Sequence, residues 1–375
     1  MKLRIFRLLA VAAVVFCGLA GAQARAQNAY ITNAGANNVS VIDTATNTVT
    51  ATIAVGSFPV GVAVSPDGST VYVANLGSNT VSVIAAATNR VTATIAVGSV
   101  PEGVAVTPDG GTVYVANRDS NSVSVIAAAT NTVTATIAVG ENPFGVAVSP
   151  DGSTVYVANG GGDNTVSVIA AATNKVTATI AVGESPFGVA VTPDGSTVYV
   201  ANFAANSVSV IAAATNTVTA TIAVGTLPIG VAVSPDGSTV YVANQAAATV
   251  SVIAAATNTV TATISVGGGP NGVAVTPDGS TVYVTNQFDN TVSVIAAASN
   301  TVTATIAVGT EPLAFGLFIG PAPKFAGTPG FSNCHGVSVS ALSIQFGGDL
   351  SAAAKALGFP SVQALQNAIK TFCRG

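Results

Sequence analysis

The side chains that could carry out chemistry are few, and some lie outside the main part of the chain. Residues 27–320 contain fourteen acidic and three basic side chains but no histidine or cysteine. His335, Cys334 and Cys373 all follow that region. A Ser-His-acid or Cys-His arrangement therefore cannot be assembled within it, and it lacks the His and Cys ligands that zinc, copper or haem prefer. The composition predicts no cofactor and no metal, and it favours a protein that is not an enzyme.

The charge pattern also argues against one class of partner. Residues 27–320 carry a net charge of −11, whereas proteins that bind nucleic acids present a basic patch to the phosphates. No nucleic acid is expected as a partner. Because no apolar run after residue 26 is long enough to cross a bilayer, no membrane span is expected in the mature chain.

The elements that position these side chains belong to a repeat. Seven copies of one unit share the same tyrosine, at Tyr30, Tyr72, Tyr114, Tyr156, Tyr199, Tyr241 and Tyr283. The spacing is 42 residues, or 43 where Gly160-Gly161-Gly162 adds one residue. A fixed period near 40 residues with several strands in each unit indicates a β-propeller.

Each unit contains four short segments rich in Val, Ile and Thr, as half-buried strands require. In the second unit these are Gly61 to Ser65, Thr70 to Asn75, Thr80 to Ile84 and Val91 to Val97. Asp67-Gly68 supplies the positive φ of a tight turn. We predict an all-β fold for residues 27–320, a seven-bladed β-propeller of four-stranded antiparallel blades. A parallel β-helix is the structural alternative.

The two ends of the repeat array predict how the propeller closes. The chain enters the first unit at Tyr30 without the GVAVSPDG segment. After the seventh unit, Pro312 to Gly320 (PLAFGLFIG) supplies a degenerate copy of that segment. We therefore expect it to form the inner strand of the first blade, next to Tyr30 to Asn33.

The motifs YVAN, NTVSVI, ATNTVTATIAVG and PxGVAVSPDG resemble those of the YVTN family of β-propeller repeats, found in secreted and surface-layer proteins of bacteria and archaea. The resemblance covers Tyr30 to about Gly320. It implies the propeller fold and an exported protein. It does not imply one activity, because the family includes structural, binding and redox-associated proteins.

The seven copies differ mainly in two loops, the one after YVAN and the one between AVG and GVAV. Both loops are expected on one face, around the channel mouth, and loops on a rigid scaffold commonly carry binding residues. The candidate residues are Phe58, Glu102, Arg118, Asp119, Glu141, Phe144, Asp163, Glu184, Phe187, Phe203, Phe288, Asp289 and Glu311. This acidic and aromatic surface suits a protein, a glycan or a small cationic ligand. Drift among loops that only need to be soluble is the alternative.

The repeated polar residues are assigned structural roles. Asp67 and its equivalents are expected to stabilise their turns. Asn75 and its equivalents, which end the second strand of each unit, are expected to hydrogen-bond local backbone. The tyrosines are expected to pack between blades, and the inner strands to line a narrow apolar channel.

Both termini are expected to lie outside the propeller. A basic start, the apolar run Leu8 to Ala22 and small-x-small sites up to Ala26 predict a signal peptide over residues 1–26. Export to the periplasm, cell surface or medium follows from it. Residues 321–332 are predicted to be a linker. Residues 333–375 are predicted to be a small helical module closed by a disulfide between Cys334 and Cys373.

These observations favour a monomeric, exported, non-enzymatic scaffold that serves for binding or at the cell surface, with its ligand on the varied loops. Two other functions stay open. Glu141, Asn142 and Glu184 lie in adjacent units, and some lactone-hydrolysing propellers hold a cation with acids and Asn at the mouth, so a metal-dependent lactonase-like hydrolase is the second. A structural surface-layer component is the third.

Overall fold

The structure is a computed structural model that describes residues 27–321. These residues form seven antiparallel sheets, one for each repeat. The predicted signal peptide, all of the linker after residue 321, and the helical module with Cys334 and Cys373 lie outside the described residues.

The sheets are numbered as blades 1 to 7 in chain order. Blade 1 contains β1 (Asn28–Asn33), β2 (Asn38–Asp43) and β3 (Thr48–Ala54). Blade 2 contains β4 (Pro59–Val64), β5 (Thr70–Asn75), β6 (Thr80–Ala85) and β7 (Arg90–Ala96). Blade 3 contains β8 (Pro101–Val106), β9 (Thr112–Asn117), β10 (Ser122–Ala127) and β11 (Thr132–Ala138). Blade 4 contains β12 (Pro143–Val148), β13 (Thr154–Asn159), β14 (Thr165–Ala170) and β15 (Lys175–Ala181).

Blade 5 contains β16 (Pro186–Val191), β17 (Thr197–Asn202), β18 (Ser207–Ala212) and β19 (Thr217–Ala223). Blade 6 contains β20 (Pro228–Val233), β21 (Thr239–Asn244), β22 (Thr249–Ala254) and β23 (Thr259–Ser265). Blade 7 contains β24 (Pro270–Val275), β25 (Thr281–Asn286), β26 (Thr291–Ala296) and β27 (Thr301–Ala307). Short 3-10 helices follow β1, β5 and β9, at Ala34–Ala36, Leu76–Ser78 and Arg118–Ser120.

The strands of every blade are neighbours in chain order, which confirms the predicted four-stranded antiparallel arrangement. In blade 2 the register of β5 and β6 runs from Thr70↔Ala85 to Asn75↔Thr80 without interruption. The pairing of β6 with β7 shifts between Val83 and Ile84, and such a bulge increases the local twist of the outer strand. The inner strand begins at Pro59, two residues before the predicted start.

The predicted closure of the ring is confirmed. Pro312 forms a bridge with Asn33, and Ile319 forms one with Ala29. The backbone N–H of Tyr30 donates to the carbonyl oxygen of Phe318 at 2.9 Å. The segment after the seventh unit therefore completes blade 1, and the propeller has seven blades.

The closing segment, residues 310–320, is less regular than the inner strands of the other blades. It has two more residues between its two bridges than those strands have between the equivalent pairs. The bridges to Asn33 and Ala29 are made by residues seven positions apart, whereas the equivalent partners in β4 are five positions apart. The additional residues reach across to blade 2, where the N–H of Val62 donates to the carbonyl oxygen of Phe315 at 2.9 Å. The closing segment therefore bonds blade 2 as well as blade 1.

Two threonines hold the closing segment from both sides. Thr32 in blade 1 and Thr285 in blade 7 stand where the other five blades have alanine. The N–H of Ala314 donates to the Thr32 hydroxyl at 2.7 Å, and the Thr285 hydroxyl donates to the carbonyl oxygen of Leu313 at 2.9 Å. These hydroxyls satisfy backbone groups that the irregular strand leaves without a ladder partner.

The core lies between blades. Tyr72 of blade 2 belongs to one buried cluster with Val104, Val113 and Ile126 of blade 3. Each blade buries one face against each of its two neighbours, as stacked repeats must. The hydroxyl of Tyr283 in blade 7 donates to Asn47 Oδ1 in blade 1 at 2.6 Å. The prediction that the tyrosines pack between blades is confirmed.

The turn aspartates have the predicted role. The Ser65 hydroxyl donates to Asp67 Oδ1 at 2.6 Å, and the N–H of Ser69 donates to it at 3.0 Å. Hydrogen bonds of the same kind lower the pKa of the equivalent Asp151, Asp194 and Asp236 to about 2.

The predicted backbone partner of the strand-ending asparagines accounts for only part of their hydrogen bonding. Asn75 Oδ1 accepts the backbone N–H of Gly56 at 3.1 Å, while its Nδ2 donates to the hydroxyls of Ser82 and Thr80, at 2.9 and 3.0 Å. The side chain is fully buried, and the hydroxyls of the neighbouring third strand are within reach because cross-strand pairs lie close together.

Candidate functional site

The two varied loop sets lie on one face of the propeller. In blade 2 the N–H of Leu76 donates to the carbonyl oxygen of Phe58 at 3.0 Å, and that of Gly77 donates to Ser57 at 3.0 Å. Leu76 belongs to the loop after YVAN, and Phe58 to the loop that enters the blade. We call this side the loop face, and the opposite side, with the PDG and AAATN turns, the turn face.

The loop that enters each blade has three variable positions, two before its proline and one after it. The first is filled by Ser57, Ser99, Glu141, Glu184, Thr226, Gly268 and Thr310. The second is filled by Phe58, Val100, Asn142, Ser185, Leu227, Gly269 and Glu311, all with φ between 49° and 67°. The third is filled by Val60, Glu102, Phe144, Phe187, Ile229, Asn271 and Leu313. The predicted acids therefore do not form one ring, since Glu102, Glu141 and Glu311 occupy three different positions.

The third positions meet at the channel mouth, together with the residue that follows each strand-ending asparagine. One contiguous cluster there joins Val60 of blade 2, Ile229 of blade 6 and the closing segment's Leu313 and Phe315. The second set of mouth residues consists of Ala34, Leu76, Arg118, Gly160, Phe203, Gln245 and Gln287. Blades 1 and 2 are thus aliphatic at the mouth. Blades 6 and 7 are largely polar there, with Gln245 Nε2 donating to Gln287 Oε1 at 3.2 Å.

Blades 3 to 5 differ from the rest. They bring together Glu102, Arg118, Phe144, Phe187 and Phe203, which we call the mouth sector. These five belong to the predicted candidates, and the structure places them in one chain of contacts.

The aromatic part of the mouth sector is a stack. The rings of Phe144 and Phe187 lie 4.2 Å apart with an angle of 21° between their planes. Phe203 lies 6.2 Å from Phe187, and Phe315 meets Phe187 edge-on at 5.3 Å. Phe144, Phe187 and Phe203 are half-buried, so part of each ring is open to a partner. Aromatic pairs in these geometries attract each other beyond simple burial.

The charged part is a partly buried ion pair. Arg118 Nη1 lies 2.9 Å from Glu102 Oε1, and Arg118 Nε lies 3.0 Å from Asp119 Oδ1. The guanidinium also lies 6.0 Å from the centre of the Phe144 ring. Burial raises the pKa of Glu102 to about 7, although the Arg118 charge opposes that rise. Glu102 is 4% exposed, so its carboxylate faces Arg118 and not solvent.

The remaining predicted residues lie around the mouth sector or apart from it. Glu141, Glu184 and Glu311 are exposed on the loop face. Phe58 and Phe288 are exposed by 38% and 67% and belong to the loops of blades 2 and 7. The structure does not bring them into the contacts of the mouth sector.

Two of the predicted acids have a local structural role. Asp163 Oδ2 accepts the N–H of Glu141 at 2.9 Å, and Asp289 Oδ2 accepts that of Gly268 at 2.7 Å. In blades 2 and 3 the hydroxyls of Ser78 and Ser120 accept the equivalent N–H groups. These positions stabilise the loop and need no ligand to explain them.

Two important mouth residues were missed by the sequence reasoning. Phe315 comes from the closing segment, and the two extra residues of PLAFGLFIG were the signal that could have revealed it. Gly160 leaves the space in which Phe144 lies, because a Cβ on Gly160 would stand 2.6 Å from the Phe144 ring. Among the repeats this position is glycine only in blade 4.

The channel below the mouth is narrow, as predicted. It is lined by glycines and valines of the inner strands together with Phe315 and Gly316, and encloses about 30 Å³. That volume holds about one water molecule. The inner strands approach closely, since a Cβ on Gly145 would lie 2.3 Å from the carbonyl oxygen of Phe187.

Within residues 27–321, no three side chains among His, Cys, Asp and Glu lie close enough together to hold a metal ion. The same residues include no helix that is long and apolar enough to cross a bilayer.

Two protein-family models match the chain. Residues 28–136 match the family described as lactonase, 7-bladed beta-propeller. Residues 151–239 and 232–324 match the family described as YNCE-like beta-propeller. Both families are β-propellers. Each model covers less than half of the chain, and membership of the YVTN family stays a prediction.

Solved structures and one curated relative add to this comparison. A chain of Kuenenia stuttgartiensis hydrazine synthase is 27% identical, with a TM-score of 0.67 over 72% of this chain and 92% of that one. A functionally unknown protein from Desulfotomaculum acetoxidans is 21% identical, with a TM-score of 0.67 over 77% of this chain and 99% of that one. A PE-PGRS family protein of Mycobacterium tuberculosis is 64% identical over 39 residues, which is 10% of this chain and only 8% of that protein.

Proposed function

We propose that the protein is an exported β-propeller that binds a partner on its loop face and has no catalytic role of its own. The mouth sector carries this proposal. On a scaffold of seven nearly identical repeats, three adjacent blades place aromatic and charged side chains at the mouth, in contact with each other and partly open to solvent. The fold does not require them, because the other blades fill the same positions with aliphatic and amide side chains. Clusters of this composition are typical of binding hot spots.

The shape of the mouth supports binding over catalysis. A small-molecule site usually encloses roughly 300–1,000 Å³, whereas the channel below the mouth encloses about 30 Å³. The one buried acid of residues 27–321, Glu102, is paired with Arg118. The site is therefore a surface across which a partner can lie.

The experiment compares capture of the native partner by the wild type and by a variant with Phe144→Ala, Phe187→Ala, Glu141→Gln and Glu184→Gln. We expect the variant to lose the partner, with its circular dichroism spectrum unchanged. Val133→Ala with Val218→Ala, on exposed outer strands, is the matched control and should retain it. Equal capture by the quadruple variant would reject the proposal.

The lactonase-like alternative has one observation in its favour, the family match over residues 28–136. A cation that polarises a lactone carbonyl must be held by several ligands. On the loop face these would be Glu141, Asn142 and Glu184, all exposed in adjacent blades. Turnover of lactones with added divalent cations, abolished by a chelator and by Glu141→Gln, would establish it.

The surface-layer alternative requires self-assembly, which sedimentation of residues 27–375 would reveal.

A further inference from the structure

We infer that the partner on the loop face is a protein segment that presents lysine or arginine side chains to the aromatic stack of the mouth sector and to the exposed Glu141 and Glu184 beside it. This inference rests on the proposed function, and it names the chemistry of the partner.

The protein's own Arg118 shows which group the site accepts. Its guanidinium lies against the Phe144 ring and is neutralised by the carboxylate of Glu102 at 2.9 Å. A cation held between an aromatic ring and a carboxylate is a favourable combination. This contact forms between blades 3 and 4, and it occupies only one side of the aromatic stack.

One blade further along, aromatic rings and carboxylates occur again, the carboxylates now exposed and at the first loop position, and residues 27–321 place no cation beside them. Phe187 and Phe203 continue the aromatic surface, and Glu141 and Glu184 are exposed in the loops that lead to Phe144 and Phe187. The position equivalent to Arg118 is occupied here by Gly160. A basic side chain from a partner would supply the charge that blade 4 lacks.

The pairing of acid and aromatic residue occurs twice. Glu141-Asn142-Pro143-Phe144 and Glu184-Ser185-Pro186-Phe187 repeat the pattern Glu-x-Pro-Phe in consecutive blades, and no other repeat has it. Because the blades are structurally equivalent, each pattern places its glutamate and phenylalanine at the same two loop positions. The loop face can thus receive two cations from one segment.

The charge of the loop face selects a basic partner. Within residues 27–321 it carries Glu102, Asp119, Glu141, Asp163, Glu184, Asp289 and Glu311 against Arg118 alone, since Arg90 and Lys175 begin outer strands at the turn face. An acidic surface attracts basic partners and repels acidic ones.

The shallow mouth favours a protein segment over a small cation. A free polyamine gains affinity from enclosure, and the space below the stack is only about 30 Å³. A segment that crosses blades 3 to 5 can contact both Glu-x-Pro-Phe patterns at once, so its second contact is formed at high effective concentration.

The test is equilibrium binding of fluorescently labelled decalysine, decaglutamate and spermine to the full chain, followed by anisotropy at low and physiological salt. We expect decalysine to bind, decaglutamate not to bind, and spermine to bind at least tenfold more weakly than decalysine. Glu141→Gln with Glu184→Gln, and separately Phe187→Leu, should each weaken decalysine binding at least fivefold. Phe288→Leu and Glu311→Gln, on the same face but outside the two Glu-x-Pro-Phe patterns, should change it less than twofold.

Three results would overturn the inference. The first is absence of decalysine binding, and the second is spermine binding as tight as that of decalysine. The third is an equal loss on Glu311→Gln, which would mean that diffuse acidity and not the two Glu-x-Pro-Phe patterns attracts the peptide. If the native partner required Phe144 and Phe187 but offered an acidic surface, this inference would fall while the proposed function would stand.

Discussion

A single substitution in blade 6 tests how the loops of the loop face are built. In the other six blades, an asparagine with positive φ ends the loop after the second strand and accepts an N–H from the loop that enters the next blade. In blade 5, Asn206 has φ 52°, and its Oδ1 accepts the N–H of Leu227 at 2.8 Å. Blade 6 has Ala248 at this position, with φ 51°, so the N–H of Gly269 has no such side-chain acceptor. Ala248→Asn should supply it.

The expected gain combines two effects. One hydrogen bond contributes about 1 kcal/mol net. A non-glycine residue in the left-handed region costs roughly 1–2 kcal/mol, and asparagine tolerates that region better than alanine. Ala248→Asn should therefore raise the free energy of unfolding by about 1–2 kcal/mol in urea denaturation. The mirror substitution Asn206→Ala should lower it by about the same amount. If Asn206→Ala destabilised the protein but Ala248→Asn did not stabilise it, the equivalence of these loops would be wrong.

Three further predictions concern the seam, the buried acid and the inner strands. Thr32→Val with Thr285→Val removes the hydroxyls that bond the closing segment and should cost about 2–4 kcal/mol of unfolding free energy, whereas Thr263→Val on an exposed strand should change it by less than about 0.5 kcal/mol. An equal effect of the double variant and of Thr263→Val would contradict the role of the two hydroxyls at the seam. Glu102 has a pKa raised to about 7, so the folded state binds its proton more tightly than the unfolded state does. The stability of the wild type should therefore decrease as the pH rises from about 4.5 to 7. In urea titrations across this range Glu102→Gln should flatten that slope, and an unchanged slope would contradict the assignment. Gly145→Ala places a methyl group against the Phe187 carbonyl and should lower the unfolding midpoint by more than a typical surface substitution, and a neutral result would show that the inner strands are not tightly packed.

The fold could be predicted from the sequence because seven repeats share the same pattern. Period, strand composition and Asp-Gly turns agree with each other, and the missing segment before Tyr30 has its counterpart at Pro312 to Gly320. Agreement across these levels leaves few alternative topologies.

The details of the seam could not be predicted from that pattern. The closing segment is the least regular copy, and its two extra residues determine where Phe315 lies. Thr32 and Thr285 differ from alanine in the other blades by one hydroxyl, a change that ordinary drift also produces. Only the structure shows that both hydroxyls contact the closing segment.

The face that carries the candidate site could be predicted, but not the arrangement of the site. Strand order alone places the two varied loops on the same side. The sequence cannot distinguish a loop position that points to the mouth from one that points to solvent, so Glu102 and Glu141 were grouped although one is buried and the other exposed. The partnership of Glu102 with Arg118 depends on the distance between a loop and the following 3-10 helix, which no motif encodes.

The most direct test of the central claim is site-specific photo-crosslinking in the native organism. A photoreactive amino acid at Ala204, exposed on the loop face beside Phe203, is compared with one at Ala256, exposed in an AAATN turn on the turn face. The account predicts a discrete crosslinked species from position 204 that disappears with Phe144→Ala and Phe187→Ala, and none from position 256. A crosslink from position 256 alone would contradict it.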